Sequence, residues 1–395
     1  MTVTKRKIKI LRIIQTLDKT YGGISNAIID SSIQLKKKGF DVDILTYEKK
    51  NDYILSKEKI KVFNKGPAYG KFTFSISLLI WILKNKKNYD LFIIHGLWHF
   101  STLIARFLLV GKYFVFLHGA LDPYFSTEIF KSLKKKIYWR FVEERNLLKS
   151  ISVLLTNEKE KKQLNQTYVN TKKLKKKVVS YGISPPQFKK KIILNKFYKI
   201  YPFLKNKKYL LFLGRFHKKK GCEMLINSLT NLSKKNIKIK IVMAGPENKY
   251  KNFLQNLARQ NGVSSQIFWL DALTGDSKWG AILASQAMIL PSNGENFGVS
   301  LVESMSCSKA VLTTKKVNIY EEILNDKAGL ISQNSTMGIT RILLEFSIMN
   351  KKAKDKLSKN AIKCFDKNFN INKNINNLCK LIVDSVGKNI RFKNS

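Results

Sequence analysis

Glu295 and Glu303 stand eight residues apart in the run Pro291-Ser292-Asn293-Gly294-Glu295-Asn296-Phe297-Gly298-Val299-Ser300-Leu301-Val302-Glu303. Glycines bracket the first carboxylate, and the apolar spacing from Val299 onward predicts that the second lies inside a helix. A helix beginning near Gly298 aims its positive end and free N–H groups at an anion bound before it. Carboxylates beside that end accept hydrogen bonds from hydroxyls, so the run suits a ligand that is both polyhydroxyl and phosphorylated. The same spacing fits an ordinary helix with an acidic first turn and one exposed glutamate, and alone it does not select between the two. A second run, Gly214-Arg215-Phe216-His217-Lys218-Lys219-Lys220-Gly221, sets Arg215 and Lys220 five apart on a glycine-bounded loop. Two fixed cations there can clamp a diphosphate and neutralise the charge that grows as it departs. Lys220 means little in so lysine-rich a chain. Arg215 means more, because only nine of the 73 basic residues are arginine.

The first half of the chain offers glycines and histidines. Tyr21-Gly22-Gly23-Ile24-Ser25 places paired glycines where a strand hands over to a helix, which lets backbone approach a phosphate or a sugar. It is neither GxGxxG nor GxxxxGK[ST], and a tight strand-to-helix turn explains it equally well. His95-Gly96-Leu97-Trp98-His99 and His118-Gly119-Ala120-Leu121-Asp122-Pro123 hold three of the four histidines, each group just past a strand. His95 and His99 have i,i+4 spacing, yet Gly96 and the strand end argue against a shared helical face for a metal. Satisfied structural hydrogen bonds are the expectation for His95 and His99. A histidine at a strand's carboxyl end can also present a neutral nitrogen or an N–H to a substrate hydroxyl.

These runs need elements to position them. Short apolar segments at Ile8–Ile14, Val42–Leu45, Leu91–Ile94, Tyr113–Leu117 and Val153–Leu155 read as strands. Amphipathic stretches Ser25–Lys37, Phe72–Lys86 and Lys131–Lys149 alternate with them. The second half repeats the rhythm with strands Leu210–Leu213, Lys240–Ala244, Ile267–Leu270, Met288–Leu290 and Val311–Thr313. Helices Cys222–Ser233, Lys249–Asn261 and Val299–Cys307 separate those. Alternation of this kind implies two doubly wound α/β domains, here residues 1–186 and 187–395, the last helix returning to the first domain. The seam is expected at Ser184–Pro185–Pro186, followed by a lysine-rich stretch to about Lys208. Ligands of open parallel sheets bind beyond the carboxyl ends of the strands, where both runs fall.

Composition narrows the class. The 395 residues are 44% apolar and 25% charged, ample for packed cores, which excludes a mainly disordered chain. The formal net charge is +46. Residues 1–186 hold 36 basic and 14 acidic side chains, and residues 187–395 hold 37 and 13, so the excess is no tail. A diffuse lysine surface attracts anions in general: acidic lipids, nucleotide phosphates, nucleic acid. An AT-rich genome's lysine bias accounts for it as well. Cys222, Cys307, Cys364 and Cys379 form no CxxC pair, which points to a reducing compartment. Arg12 interrupts the N-terminal apolar run, so it does not read as a secretory leader. The apolar stretches Phe72–Leu83 and Phe100–Leu117 fall short of the ~18–20 residues a spanning helix needs. The expectation is a cytoplasmic protein, soluble or peripheral on the inner membrane face.

Taken together and in order, these residues resemble the retaining glycosyltransferases of family 4, also called glycosyltransferase group 1, which have the GT-B fold. Pro291 to Glu303 is similar to that family's E-x7-E motif, and Gly214 to Gly221 to its Gly-Arg…Lys-Gly motif. Ala244-Gly245, Gly22-Gly23 and Thr156-x-Glu158 are further matches. The segments at His95 and His118 resemble a subgroup that builds bacterial surface polysaccharides, including lipopolysaccharide. The resemblance implies two Rossmann-like domains facing a central cleft, the first for an acceptor and the second for a nucleotide-diphospho-sugar. It implies that Arg215 and Lys220 hold the diphosphate, aided by Gly22, Gly23 and the backbone of Asn296, Phe297, Gly298 and Val299. Glu303 would then bond the ribose, and Glu295 and His118 would act at the transferred sugar.

The same resemblance implies a UDP- or GDP-sugar donor, a glycan or lipid-linked acceptor, and neither cofactor nor metal. Two departures stand out. Ser180-Tyr181-Gly182-Ile183-Ser184 replaces Pro-Asn-Gly-Ile-Asp, and Ser308-Lys309-Ala310 replaces Gly-x-Pro. Lys131–Phe141 and Phe72–Lys87 offer lysines and aromatics to an anionic membrane surface. The competing readings are a non-specific nucleic-acid-binding protein, motivated by charge alone, and a GT-B scaffold without catalysis. No nucleic-acid module is recognisable, so no specific nucleic acid is expected.

Overall fold

A computed structural model of the chain describes residues 6–18, 23–121, 136–167, 171–180 and 182–391. It divides into two compact units, Met1–Ser184 with Ile371–Ser395, and Pro185–Asn370. Each is an α/β domain on a parallel sheet.

In the first unit the strands are β1 (Lys9–Ile13), β2 (Asp41–Thr46), β3 (Tyr53–Leu55), β4 (Ile60–Asn64), β5 (Leu91–His95), β6 (Tyr113–Phe116), β7 (Ser152–Leu155) and β8 (Lys176–Val178). They lie in the order β3-β4-β2-β1-β5-β6-β7-β8, all pairs parallel except β3 with β4. β5, β6 and β7 are buried along their whole length, which explains their unbroken apolar reading. Alternate residues feed two cores: Leu45 joins one with Leu78, Phe92 and Val115, while neighbouring Ile44 joins the other with Ile28 and Val62. Helix Gly23–Lys37 supplies Ile28 to one side, and helix Ile76–Asn85 supplies Leu78 and Ile82 to the other. The final helix, Ile371–Arg391, belongs to this unit, where the Ile371 N–H donates to the Ile183 carbonyl at 3.2 Å.

The second unit adds β9 (Leu210–Leu213), β10 (Ile241–Ala244), β11 (Ile267–Leu270), β12 (Ala287–Leu290), β13 (Ala310–Thr314) and β14 (Gly329–Ser332). Their order is β11-β10-β9-β12-β13-β14, parallel throughout. The lysine-rich stretch after Pro186 is not loose connection. It contains helix Lys190–Ile200, which buries Ile193 and Phe197 and packs on helix Gly275–Ala284. Its lysines hide an amphipathic pattern that a charge count reads as a linker.

Both sheets have a switch point. From β9 the chain winds outward through β10 and β11, then returns to β12 beside β9 and winds the other way. The loops after β9 and β12 therefore flank the switch point at the carboxyl ends of the strands. β1 and β5 stand in the same relation in the first unit.

Candidate functional site

The loop after β9 ends in a 3-10 turn, Lys218–Lys220, closed by Gly221 at φ +69°. A Cβ at Gly221 would overlap the Pro291 carbonyl, so only glycine lets this loop lie against the one after β12. Two hydrogen bonds complete the seam. The Asn293 N–H donates to the Lys219 carbonyl at 2.7 Å, and Asn293 Nδ2 to the Lys218 carbonyl at 2.8 Å. Across it, Lys220 Nζ forms an ion pair with Glu295 Oε2.

Glu295 is held by backbone. Its N–H donates to the Lys316 carbonyl at 3.1 Å, and its carbonyl accepts from the Asn318 N–H at 2.8 Å. The chain then turns through Gly298 at φ +65° into helix Val299–Ser306, which has no side-chain cap. Asn318 Nδ2 donates to Asn296 Oδ1 at 3.3 Å, and buried Phe297 meets the ring of Phe369 edge-on. Glu303, buried in that helix, receives Lys278 Nζ at 2.6 Å from helix Gly275–Ala284. Arg215 is exposed and has no ion-pair partner among the described residues. His217 caps the lysine turn by accepting from the Lys219 N–H at 3.0 Å. Partial burial, then Arg215, Lys219 and Lys220, push it below the ordinary imidazole value.

Arg215, Lys220, Glu295, Asn296, Phe297, Gly298, Val299 and Glu303 thus gather beyond β9 and β12. The grouping has a clear chemical character: cations, an uncapped helix N-terminus, and two carboxylates each already held by a lysine. It can receive a diphosphate and bond hydroxyls beside it. Lys278 escaped the sequence reading because its helix, with glycines at 275 and 280, shows no strong amphipathic pattern. Gly22 lies outside the described residues; Gly23 opens helix Gly23–Lys37.

His118 sits past β6 at φ +55°, its ring stacked on Phe116 with centroids 4.5 Å apart. His118 Nε2 lies 2.7 Å from His95 Nδ1, and His95 Nε2 accepts from Arg12 Nε at 3.1 Å. Burial first, and then the Arg12 charge, hold both imidazoles well below their usual value, so both are neutral. His99 is likewise lowered by burial, and its Nδ1 lies 3.4 Å from Thr73 Oγ1.

Two glutamates missed in the sequence brace these loops. Glu160 accepts from the Gly119 N–H and from the N–H and hydroxyl of Thr156, each at 2.7 Å. Asn157 Oδ1 accepts from the Glu160 N–H at 2.8 Å, the N-cap half of an Asn-x-x-Glu pattern whose spacing was readable. Glu158, the residue singled out by resemblance, instead pairs with Lys161 at 3.3 Å and is 65% exposed. Fully buried Glu143 accepts from the Trp98 N–H at 2.7 Å, Thr102 Oγ1 at 3.1 Å and Asn146 Nδ2 at 3.1 Å. Burial outweighs those bonds and pushes its carboxyl up to about 7. Among the described residues no cluster of three or more histidine, cysteine, aspartate or glutamate side chains is placed to hold a metal ion. Nor is any described helix long and apolar enough to cross a membrane.

The family model "Glycosyl transferases group 1" matches residues 195–364, within the second unit. An uncharacterised glycosyltransferase of Methanocaldococcus jannaschii is 25% identical over 247 residues, 60% of this chain and 61% of that protein. A solved glycosyltransferase from Rickettsia africae superposes with TM-score 0.72 at 19% identity, over 97% of this chain and 99% of that one. Anabaena HepE, solved in complex with UDP and glucose, gives TM-score 0.75 at 14% identity, over 95% and 100% of the two chains. The fold is GT-B, and the matches together support a glycosyltransferase of group 1.

Proposed function

We propose that the protein is a retaining, metal-independent hexosyltransferase that moves a sugar from a UDP- or GDP-sugar to a glycan or lipid-linked acceptor in bacterial cell-surface polysaccharide synthesis. The observation that carries this reading is the Lys220–Glu295 pair joining the two motif runs beside an uncapped helix N-terminus. An entering diphosphate takes Lys220 and Arg215 as counter-charges and meets the N–H groups from Asn296 to Val299. Glu295 is then released to hydroxyls of the transferred sugar, and Glu303 with Lys278 addresses the ribose. HepE's complex with UDP and glucose supports the choice of a nucleotide sugar.

The bond from the sugar's anomeric carbon to the phosphate breaks as the acceptor oxygen bonds on the same face. The departing phosphate takes the acceptor's proton. Catalysis then rests on positioning and on stabilising the leaving charge. His118 donates a hydrogen bond to the transferred sugar.

The deciding experiment is thermal stabilisation by UDP, GDP and ADP, with and without attached sugar, beside a short oligonucleotide. A nucleotide shift that Arg215→Ala abolishes is expected and names the base. No response to nucleotides with stabilisation by the oligonucleotide overturns the reading in favour of a nucleic-acid binder.

The protein also rests on the anionic inner membrane face. Support comes from helix Ile76–Asn85, whose Ile76, Ile80 and Leu83 are 60%, 47% and 47% exposed at i, i+4, i+7 spacing. Lys84, Lys86 and Lys87 follow at its end. Lys131 to Lys135 of the other basic segment lie outside the described residues. Ile80→Ser with Leu83→Ser should abolish sedimentation with phosphatidylglycerol vesicles; unchanged sedimentation refutes the docking face.

A further inference from the structure

Arg12 is the fourth of five residues in β1, flanked by Leu11 and Ile13 and paired with Ile44 and Ile93, and it is 1% exposed. Its guanidinium has no carboxylate partner among the described residues. It bonds instead to the Ile28 carbonyl at 3.1 Å, Ser31 Oγ at 2.6 Å, Ser32 Oγ at 2.9 Å and His95 Nε2 at 3.1 Å. Burying an uncompensated cation is costly, and a strand residue chosen for packing alone would be apolar. The same burial pulls Arg12 down to about 9, still charged at neutral pH.

A guanidinium has donors and no acceptor. The nitrogen facing it, His95 Nε2, must therefore carry a lone pair, which places the His95 proton on Nδ1. That N–H can only donate to His118 Nε2, 2.7 Å away. The two rings are 18° from coplanar with centroids 5.0 Å apart. That separation is a hydrogen bond plus two ring radii, so the imidazoles meet edge to edge in one plane. His118 Nε2 is occupied as an acceptor, and the neutral ring carries its proton on Nδ1.

We infer that Arg12 and His95 are positioning residues that lock His118 as the neutral Nδ1–H tautomer, so that its Nε2 is engaged and His118 does not act as a proton acceptor at the transferred sugar. The functional half of this statement rests on the proposed transferase reading; the tautomer half does not. The register of the sheet makes the relay possible. Arg12 pairs with Ile93 across β1 and β5, which puts His95 two residues further along the neighbouring strand, and His95 pairs with Phe116, two residues before His118. With His118 Nε2 engaged, the leaving phosphate is the remaining acceptor for the incoming hydroxyl's proton in the proposed mechanism.

The four histidines permit a direct test on the full chain by long-range proton–nitrogen NMR of the imidazole rings. Wild type should show His118 as a single neutral tautomer protonated at Nδ1, unchanged between about pH 6 and pH 9. Arg12→Met should convert it to a tautomer mixture, whereas His95→Gln with Arg12 intact, which can both accept from Arg12 and donate onward, should keep the single form. Protonation of wild-type His118 at Nε2, or an Arg12→Met spectrum identical to wild type, overturns the inference without needing any activity. With whichever of UDP-glucose and GDP-mannose stabilises the wild type, Arg12→Met should lower kcat about tenfold while KM moves less than about twofold. An equal kcat in Arg12→Met removes the functional half. A locked tautomer in a protein that no nucleotide stabilises leaves the relay standing and refutes the transferase reading.

Discussion

Beyond β5 and β6 the polar groups are buried: Arg12 charged, His95 and His118 neutral and joined edge to edge, and Glu143 pushed up to about 7. Beyond β9 and β12 they are charged and partly open: Arg215 exposed, Lys220 against Glu295, Lys278 against Glu303. The difference is one of dielectric. Buried hydrogen bonds fix orientation and protonation state at the cost of adaptability. An ion pair left partly open to water, as Lys220–Glu295 is at 20% and 21% exposure, is weaker and can exchange partners when a more strongly charged ligand arrives. One set is held still by buried hydrogen bonds, and in the proposed reading the other hands its cations from carboxylates to a phosphate.

The largest effect should come from the charged end. Glu295→Gln leaves Lys220 without its counter-charge and the sugar with only a neutral acceptor, and transfer should fall about 100- to 1,000-fold with the melting temperature little changed. Near-wild-type turnover by an intact protein would break the assignment of roles.

At the neutral end the probe is pH. Glu143 has its folded value raised from 4.5 to about 7, so its contribution to stability is full below 4.5 and is lost as pH rises through about 7. Glu143→Gln removes that late penalty, and its new amide can donate to Asn146 Oδ1, which has no hydrogen-bond partner. Relative to wild type it should gain about 2–3 kcal/mol between pH 4.5 and pH 8. Equal differences at both pH values in thermal unfolding would show that Glu143 is not held by burial.

Salt should separate the two ends further. Raising ionic strength from about 0.05 to 0.5 M should weaken nucleotide binding several-fold, while the His118 ring spectrum stays fixed. A tautomer that responds to salt would dissolve the contrast. The smallest effect lies apart from both ends. Ser308, standing where the resembling family has glycine, adopts φ +57°. Ser308→Gly should stabilise by about 0.5–1 kcal/mol in chemical denaturation, through relief of that conformation.

Parallel strands buried on both faces announce themselves, so β5, β6, β7, β9 and β12 were legible to within a residue or two. The edges were not. Tyr53–Leu55 and Lys176–Val178 are short, polar or half-exposed, and Gly329–Ser332 carries no alternation. Helix Lys190–Ile200 was hidden by its lysines. In the site, Arg215, Lys220, Glu295 and Glu303 were readable because scarce arginine, bounding glycines and a helix start lie within single runs. Lys278 and Glu143 were not, since each meets its partner only through the fold; Glu160 was readable as a helix-start signal, and its bond to Gly119 was not.

By itself the sequence determined the two α/β domains, the strand ends where the candidate site lies, and the residue types proposed to meet a diphosphate. These depend on periodicity and spacing over a dozen residues, which local backbone geometry dictates. Tertiary structure alone decided the partners: Arg12 with His95, 83 positions apart; Lys220 with Glu295, 75 apart; Lys278 with Glu303, 25 apart. Such pairs are set by which strands lie side by side and in what register. That order is chosen by the packing of whole cores, and no short run of residues encodes it.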